Sequence, residues 1–268
     1  MTDHTSVPPQ RGKIAVPNGY RRCEIPKDGG GFRVVLAPSW YVRYIQDEII
    51  SVNHPWIKQV KFPRVDKAIK LHLREKNRFF LKMDIRGAFD SVTKELLELV
   101  GIFCDHDWYV NKNFHSSGDL SDVCFHKGGG LIQGSPLSPH LFEIYCQRVL
   151  DVLLDDFCGP RNIVYTRFVD DLLFSSRQRF SRKTRKIIRG IILQAGFGLN
   201  TTKDRVVDTQ LVDLETLGLL LYRGHVSPND EFKRKLERID SCSSDESNGL
   251  LSHKKFVESM NSWHVNKL

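Results

Sequence analysis

Apolar positions in this chain fall into short runs of strand length and longer runs with helical spacing, and the two kinds interleave. Short β-prone runs at about 79–84, 162–168 and 172–176 predict strands. Helical spacing marks about 93–100, 139–155 and 181–194; in the second of these, Leu141, Phe142, Tyr145, Cys146, Val149, Leu150, Leu153 and Leu154 recur on one side. Ser138 suits the cap of that helix and Pro139 its first turn, while Ser91 or Thr93 would cap the helix before it. Nearer the start, a hairpin leads to a helix that begins at Ser39 or Trp40 and carries Tyr41, Ile45 and Ile49. Residues 1–15 are polar, include Pro8-Pro9 and read as a disordered tail. Asn229-Asp230 opens a charged helix (Phe232 to Ile239), followed by a polar linker (Ser241 to Asn248) and a last helical piece (Phe256 to His264). The interleaving predicts an α+β fold, with an antiparallel sheet packed on helices and no internal repeat.

Acidic residues interrupt this pattern at two strand ends. Phe168-Val169-Asp170-Asp171 lies within Tyr165 to Ser175, where two carboxylates separate two apolar runs; this predicts a hairpin with both acids at its tight turn. Like charges this close repel, and in apolar surroundings one is driven toward protonation unless a cation holds both ionised. Alone, an Asp-Asp pair at a hairpin tip is an ordinary solvated turn. A third acid, however, ends the run Leu81-Lys82-Met83-Asp84, and a turn at Gly87 follows it. Hard oxygen ligands from two strand ends suit a pair of magnesium ions when substrate phosphates complete the coordination. Between the acidic segments runs Gly128-Gly129-Gly130-Leu131-Ile132-Gln133-Gly134-Ser135-Pro136. Its glycines allow a backbone to approach a base pair or sugar closely, and Gln133 offers both a donor and an acceptor.

Composition narrows the partners. With 268 residues, 40% of them hydrophobic, the chain can bury a core of one or two domains. A formal charge of +8 points to a polyanionic partner. Much of that charge lies in Arg177, Arg179, Arg182, Lys183, Arg185, Lys186 and Arg189, beside Ile187, Ile188, Ile191, Ile192 and Leu193. As a helix, this segment would pack its isoleucines on a sheet and turn Arg182, Lys183, Arg185 and Lys186 outward, as a solvated face or as phosphate contacts. Six cysteines without a C-x-x-C pair argue against a disulfide scaffold. Cys104-Asp105-His106, His115 and Cys124-Phe125-His126 offer zinc ligands only at an unusual spacing, so a variable loop is the simpler expectation. No run is long enough to span a bilayer and the start lacks a signal-peptide core, so cytoplasmic residence without a membrane partner is the default expectation.

The order of these segments resembles the palm of reverse transcriptases, above all the bacterial ones related to retrons, group II introns and phage-defence systems. Asp84 through Phe89 resembles the first acidic palm motif, Gln133-Gly134-Ser135-Pro136-Leu137-Ser138-Pro139 the Gln-Gly-x-Pro-x-Ser-Pro motif, and Phe168-Val169-Asp170-Asp171 the Tyr-x-Asp-Asp motif. Tyr20, Ile25-Pro26-Lys27, Gly29-Gly30 and Arg33 through Ala37-Pro38 are similar to the fingers hairpin of these enzymes. Gly196 through Lys203 is similar to the motif whose Lys approaches the leaving pyrophosphate, and Leu217-Gly218 through His225-Val226 to the hairpin that grips the primer. Phe168 replaces the usual Tyr and Ile132 the usual Pro, both keeping apolar bulk. Lys67 through His72 and Thr216-Leu217-Gly218 only partly echo the Asn-Ala-x-x-His and Val-Thr-Gly hallmarks of retron enzymes.

This resemblance implies a right-hand polymerase fold with fingers (16–79), palm (80–226) and a short helical thumb (227–268). It implies an RNA-directed DNA polymerase in which Asp84, Asp170 and Asp171 hold two Mg2+ ions, with Mn2+ as a substitute. Lys27, Arg33, Phe89, Gln133, Gly134 and Lys203 would form the nucleotide site, with Phe89 packed under the sugar to exclude a 2′-hydroxyl. The implied partners are dNTPs, a structured noncoding RNA template and a DNA product. An effector protein or a second copy would complete the thumb, and antiphage defence follows by family analogy. A template-independent or RNA-synthesising palm polymerase, and an RNA-binding scaffold that kept only the fold, remain open alternatives.

Overall fold

The computed structural model describes residues 19–26, 30–51, 57–102, 108–111, 116–119, 124–126, 129–237, 251, 254–255 and 257–259. The expected tail, Lys27, Cys104-Asp105-His106, His115, the polar linker and most of the last helical piece lie outside the described residues. The chain forms two compact units that interleave in sequence, one from Met1–Val60 and Phe89–Ile144, the other from Lys61–Ala88 and Tyr145–Leu268.

In the first unit, β1 (Tyr20–Pro26) and β2 (Phe32–Pro38) pair as an antiparallel hairpin. Ser39 caps α1 (Trp40–Ser51), its hydroxyl accepting from the Val42 N–H at 3.4 Å, and α1 buries Val42, Ile45 and Ile49. Buried Gln46 donates to the Tyr20 hydroxyl at 2.8 Å and accepts from the Ser135 hydroxyl at 3.0 Å, so hairpin, helix and glycine-rich loop share one satisfied polar cluster. Beyond α3 (Ala88–Ser91), Thr93 caps α4 (Lys94–Leu99) as its hydroxyl suggests, accepting from the Leu96 N–H. A short antiparallel pair that no sequence pattern announces follows, β4 (Trp108–Asn111) with β5 (Ser116–Asp119). Ser138 is the first residue of α5 (Ser138–Tyr145) rather than its cap, and its buried hydroxyl meets no hydrogen-bond partner among the described residues.

The second unit holds the large antiparallel sheet. α2 (Val65–Arg74) precedes its central strand β3 (Phe79–Arg86). A π turn (Cys146–Leu150) leads to α6 (Asp151–Cys158), so the helix expected over 139–155 is interrupted. β6 (Val164–Phe168) and β7 (Asp171–Ser176) form a hairpin that lays β7 against one edge of β3. The other edge of β3 pairs with β8 (Gly198–Leu199) and β9 (Arg205–Asp208). Between β7 and β8 the chain forms α7 (Arg182–Gln194), capped by Ser181 and burying Ile188 and Ile192. A smaller sheet of β10 (Leu214–Thr216), β11 (Leu219–Tyr222) and β12 (His225–Pro228) leads to α8 (Asp230–Glu237), which Asn229 caps by accepting from the Phe232 N–H at 2.8 Å. Ile69, Leu73, Phe80, Leu173, Leu214, Leu219, Leu221 and Val226 make one core that joins α2 to both sheets. Among the described residues, no helix is long and apolar enough to cross a membrane.

A polar contact sits inside this apolar packing. His72 on α2 is fully buried, with Nδ1 2.6 Å from the Ser175 hydroxyl and Nε2 2.8 Å from that of Thr166. Asn77 donates to the same Ser175 oxygen at 2.8 Å, which leaves the Ser175 proton for Nδ1 and makes Nε2–H the donor to Thr166. Burial pushes the imidazole down from 6.5 to about 3. The unfolded chain therefore binds a proton at His72 below about pH 6.5 that the folded chain refuses until about pH 3. Stability from this residue should be complete above about pH 6.5 and fall on acidification by up to about 1.4 kcal/mol per pH unit. Urea unfolding from pH 7 to 5 is expected to show a steeper loss in the wild type than in His72→Gln; parallel pH profiles would contradict this account.

Candidate active site

The hairpin that carries the paired acids is closed by the register Phe168↔Asp171, which leaves Val169 and Asp170 as a two-residue turn. Only Asp170 therefore lies in the turn; Asp171 is the first residue of β7, a correction to the expectation that both occupy the tip. Val169 has φ of +56°, a left-handed conformation disfavoured for a β-branched residue and costing about 1–3 kcal/mol. Arg167 stands beside this turn. Its guanidinium donates to both carboxylate oxygens of Asp151, at 3.0 and 2.8 Å, while Nη1 reaches the Val169 carbonyl at 3.5 Å. The Tyr165 hydroxyl donates to the same Asp151 at 2.8 Å, so α6 grips β6 immediately before the turn.

The β3–β7 register then sets Asp84 directly opposite Asp171. The Ile85 N–H donates to the Asp170 carbonyl at 2.9 Å and the Asn200 N–H to the Asp84 carbonyl at 2.8 Å, fixing the backbone of both acids. Like charges opposed across strands are destabilising, and two ammonium groups meet them here. Lys203 Nζ donates to Asp84 Oδ1 at 2.7 Å, and Lys82 Nζ lies 3.5 Å from Asp171 Oδ1. Burial, reinforced by the Asp171 and Asp84 charges, raises the Asp170 carboxyl above its ordinary range, whereas Lys203 opposes that rise. The hydrogen bond to Asp84 in turn pushes the Lys203 ammonium up.

Among the described residues, no group of three or more His, Cys, Asp or Glu side chains is drawn together as a metal-holding set. Lys203 and Lys82 pair instead with Asp84 and Asp171. By chemistry the residues nevertheless fit a hard divalent cation: all three candidate donors are carboxylates, and desolvated Asp170 stands to gain most from an added positive charge.

Lys203 is thus brought to the acids. Arg33 lies exposed on β2, opposite Ile25 in the hairpin register. Phe89 is half-buried, its ring centroid 5.1 Å from that of Phe142, and its carbonyl accepts from the Leu131 N–H at 3.0 Å. The Gln133 carbonyl accepts from the Leu36 N–H at 2.8 Å. Gly134 has φ of +112°, and a Cβ there would come within 2.5 Å of the Leu36 carbonyl oxygen, so its close approach is to β2 of its own chain. On α7, Arg182, Lys183 and Lys186 are exposed as expected, but Arg185 is half-buried and Arg189 pairs with Asp204. Sequence reasoning missed Lys82, Asn200 and Arg167. Lys82 carried a usable signal, standing two residues before Asp84 and hence on the same face of the strand.

Residues 25–220 match the family described as "Reverse transcriptase (RNA-dependent DNA polymerase)". The chain is 31% identical over 180 residues to the Retron Ec83 reverse transcriptase of Escherichia coli, covering 60% of this chain and 54% of that protein. It is 32% identical over 126 residues to the Retron Ec86 reverse transcriptase of the same organism, covering 47% and 37%. The chain thus spans about half the length or less of these relatives. An apo telomerase from Candida tropicalis shares the fold, with a TM-score of 0.54 at 15% identity over 95% of this chain and 58% of that one.

The Arg167 anchor has a measurable consequence. Arg167 is only 6% exposed, and Arg167→Ala would leave the Asp151 carboxylate without its guanidinium and the Val169 turn without its tether. A loss of about 3–5 kcal/mol is expected in urea unfolding; a loss below about 1 kcal/mol would contradict the anchoring role.

Proposed function

The chain belongs to the reverse transcriptase (RNA-dependent DNA polymerase) family, and we propose on that premise that it copies an RNA template into DNA by adding dNTPs to a primer. The observation that carries this reading is the convergence of Asp84, Asp170, Asp171 and Lys203 at one end of the large sheet. A structured noncoding RNA is the template that similarity to retron enzymes favours, and a place in antiphage defence rests on family analogy alone.

Asp84, Asp170 and Asp171 would hold Mg2+, or Mn2+ in its place. Bound there, such ions supply a primer 3′-hydroxyl of lowered pKa and positive charge on the triphosphate. The chain's own groups do the rest. Lys203, kept protonated by Asp84, is the acid for the departing pyrophosphate once it leaves that carboxylate. Arg33, with Lys27, clamps phosphates through charge-assisted hydrogen bonds. The half-buried Phe89 ring supports the sugar and excludes a 2′-hydroxyl, and Gln133-Gly134 lines the nascent pair. Arg182, Lys183 and Lys186 follow nucleic-acid phosphates along α7. A partner protein or second copy would extend the grip of the 227–268 segment on the duplex.

Primer extension on an RNA template tests this directly. Wild-type protein with Mg2+ should incorporate dNTPs in a template-dependent way, and Asp170→Ala/Asp171→Ala should lower the rate by roughly three orders of magnitude. Phe89→Ala should gain ribonucleotide incorporation in the same assay. Extension without template, or with ribonucleotides only, would overturn the assignment in favour of another palm polymerase activity. Absence of extension with the retron-type RNA supplied would leave an RNA-binding scaffold.

A further inference from the structure

At the far end of the large sheet from the carboxylates lies a cleft of about 910 Å³ that the polymerase reading leaves unused. β3 enters the sheet there at Phe79 and β7 leaves it at Ser176, which sets the cleft roughly 17 Å along the strands from Asp84 and Asp171. Its walls come from the end of α2, from the segment between α6 and β6, and from the connection between β7 and α7.

Four arginines line this cleft, Arg74, Arg161, Arg177 and Arg179, against a single acid, Glu75. Glu75 is shared between Arg74, at 3.4 Å, and Arg177, at 3.8 Å. Arg177 also donates to the Glu75 carbonyl at 2.9 Å. Arg161 lies over the Phe157 ring, 4.1 Å from its centroid, and donates to the Phe157 carbonyl at 2.7 Å. Asp208 is within electrostatic reach of Arg179, but its carboxylate is already forked onto Arg78 at 2.8 and 2.6 Å. Carbonyl and ring contacts orient guanidinium groups without neutralising them, so the cleft keeps an excess of fixed positive charge. Each guanidinium carries five N–H donors in a planar fork that matches phosphate. Leu71, 41% exposed, and Pro160 add apolar surface beside the charges. The cleft lies toward the upper end of the roughly 300–1,000 Å³ span of ligand sites, more than a lone phosphate needs. Exposed Arg182 and Lys183 at the start of α7 carry the positive surface onward.

We propose that this cleft is a second nucleic-acid site, which holds a single strand through its phosphates at a place separate from the polymerising carboxylates. Arg161, Arg177 and Arg179 grip successive phosphates, and Leu71 and Pro160 receive the faces of the bases. The choice of nucleic acid over an acidic peptide rests on the polymerase reading. RNA and DNA present the same phosphate chemistry, and the experiment separates them.

The test uses the 268-residue chain and fluorescein-labelled RNA or DNA strands of about 12 nucleotides, with anisotropy read from about 50 to about 200 mM salt. Arg161→Ala/Arg177→Ala/Arg179→Ala should bind roughly tenfold more weakly, with a salt slope shallower by about 2. Removing three exposed cations elsewhere, in Arg21→Ala/Arg43→Ala/Lys58→Ala, should change affinity by less than about twofold. The strand type that loses more identifies the natural source. Strands bearing 4-thiouridine or 4-thiothymidine should crosslink to 159–164 or 176–180. Should the variant lacking the three cleft arginines fail to fold, Arg161→Lys/Arg177→Lys/Arg179→Lys keeps the charge but loses the forks and should still weaken binding about threefold. Equal losses in the two alanine triples would reduce the effect to net charge and overturn the site, and a polyglutamate peptide that competes as well as RNA would overturn its assignment to nucleic acid. Primer extension by the same preparations separates the two claims. Wild-type extension with binding indifferent to the arginines sinks this site alone, whereas arginine-dependent binding without extension sinks the polymerase reading alone.

Discussion

The antiparallel register between β3 and β7 is the constraint on which the site depends. It sets Asp84 opposite Asp171 and lets the Ile85 N–H reach the Asp170 carbonyl, so backbone pairing brings three acidic residues from two distant stretches of chain to one end of the sheet. A slip of one residue would send Asp84 to the opposite face of the sheet and separate it from its partners. Several features hold that register. Leu81, Met83, Leu172 and Phe174 are fully buried in the paired strands, and the Arg167–Asp151–Tyr165 cluster clamps the approach to the Val169-Asp170 turn. At the other end, His72 ties α2 to Ser175 and Thr166.

Charge balance follows from the same register. Carboxylates opposed across strands and partly desolvated are unfavourable unless cations face them, and Lys203 and Lys82 do so here. Their bonds to Asp84 and Asp171 are ones that an incoming divalent ion would have to compete with. Under the proposed function, the ammonium groups would balance these acids at rest and a divalent ion would take their place during turnover. The hydrogen bond to Asp84 is the largest cause of the raised proton affinity of Lys203, and the Asp171 and Asp170 charges add to it. The arginine cleft at the opposite end of the sheet differs in kind, since its positive charge exceeds the carboxylates that face it.

Strands β3, β6 and β7 were legible because their apolar runs are β-prone and bounded by acids or turns, helices α1, α4 and α8 because Ser39, Thr93 and Asn229 announce their starts, and α7 because its isoleucines recur with helical spacing. β8 and β9 were not, since two and four residues are too short to show a period. The π turn after Tyr145 leaves the apolar spacing of its helix nearly unchanged, so the sequence there reads as one uninterrupted helix. Asp84, Asp170 and Asp171 stood out as strand-end acids, but Lys82 drew no notice because its partner is chosen by strand pairing. The sequence at Gly134 predicts freedom for a close approach, and the structure shows Leu36 as a backbone that makes one. Ser138 had the chemistry of a cap and lies one residue too far into the helix to act as one.

The central claim, that this register builds a carboxylate site for a divalent cation guarded by lysine, is tested most directly by Mn2+ binding followed by electron paramagnetic resonance, independently of any turnover. The account predicts specific Mn2+ binding by the wild type, its loss in Asp84→Asn/Asp170→Asn, and tighter binding in Lys203→Met. Equal Mn2+ binding by all three proteins would contradict it.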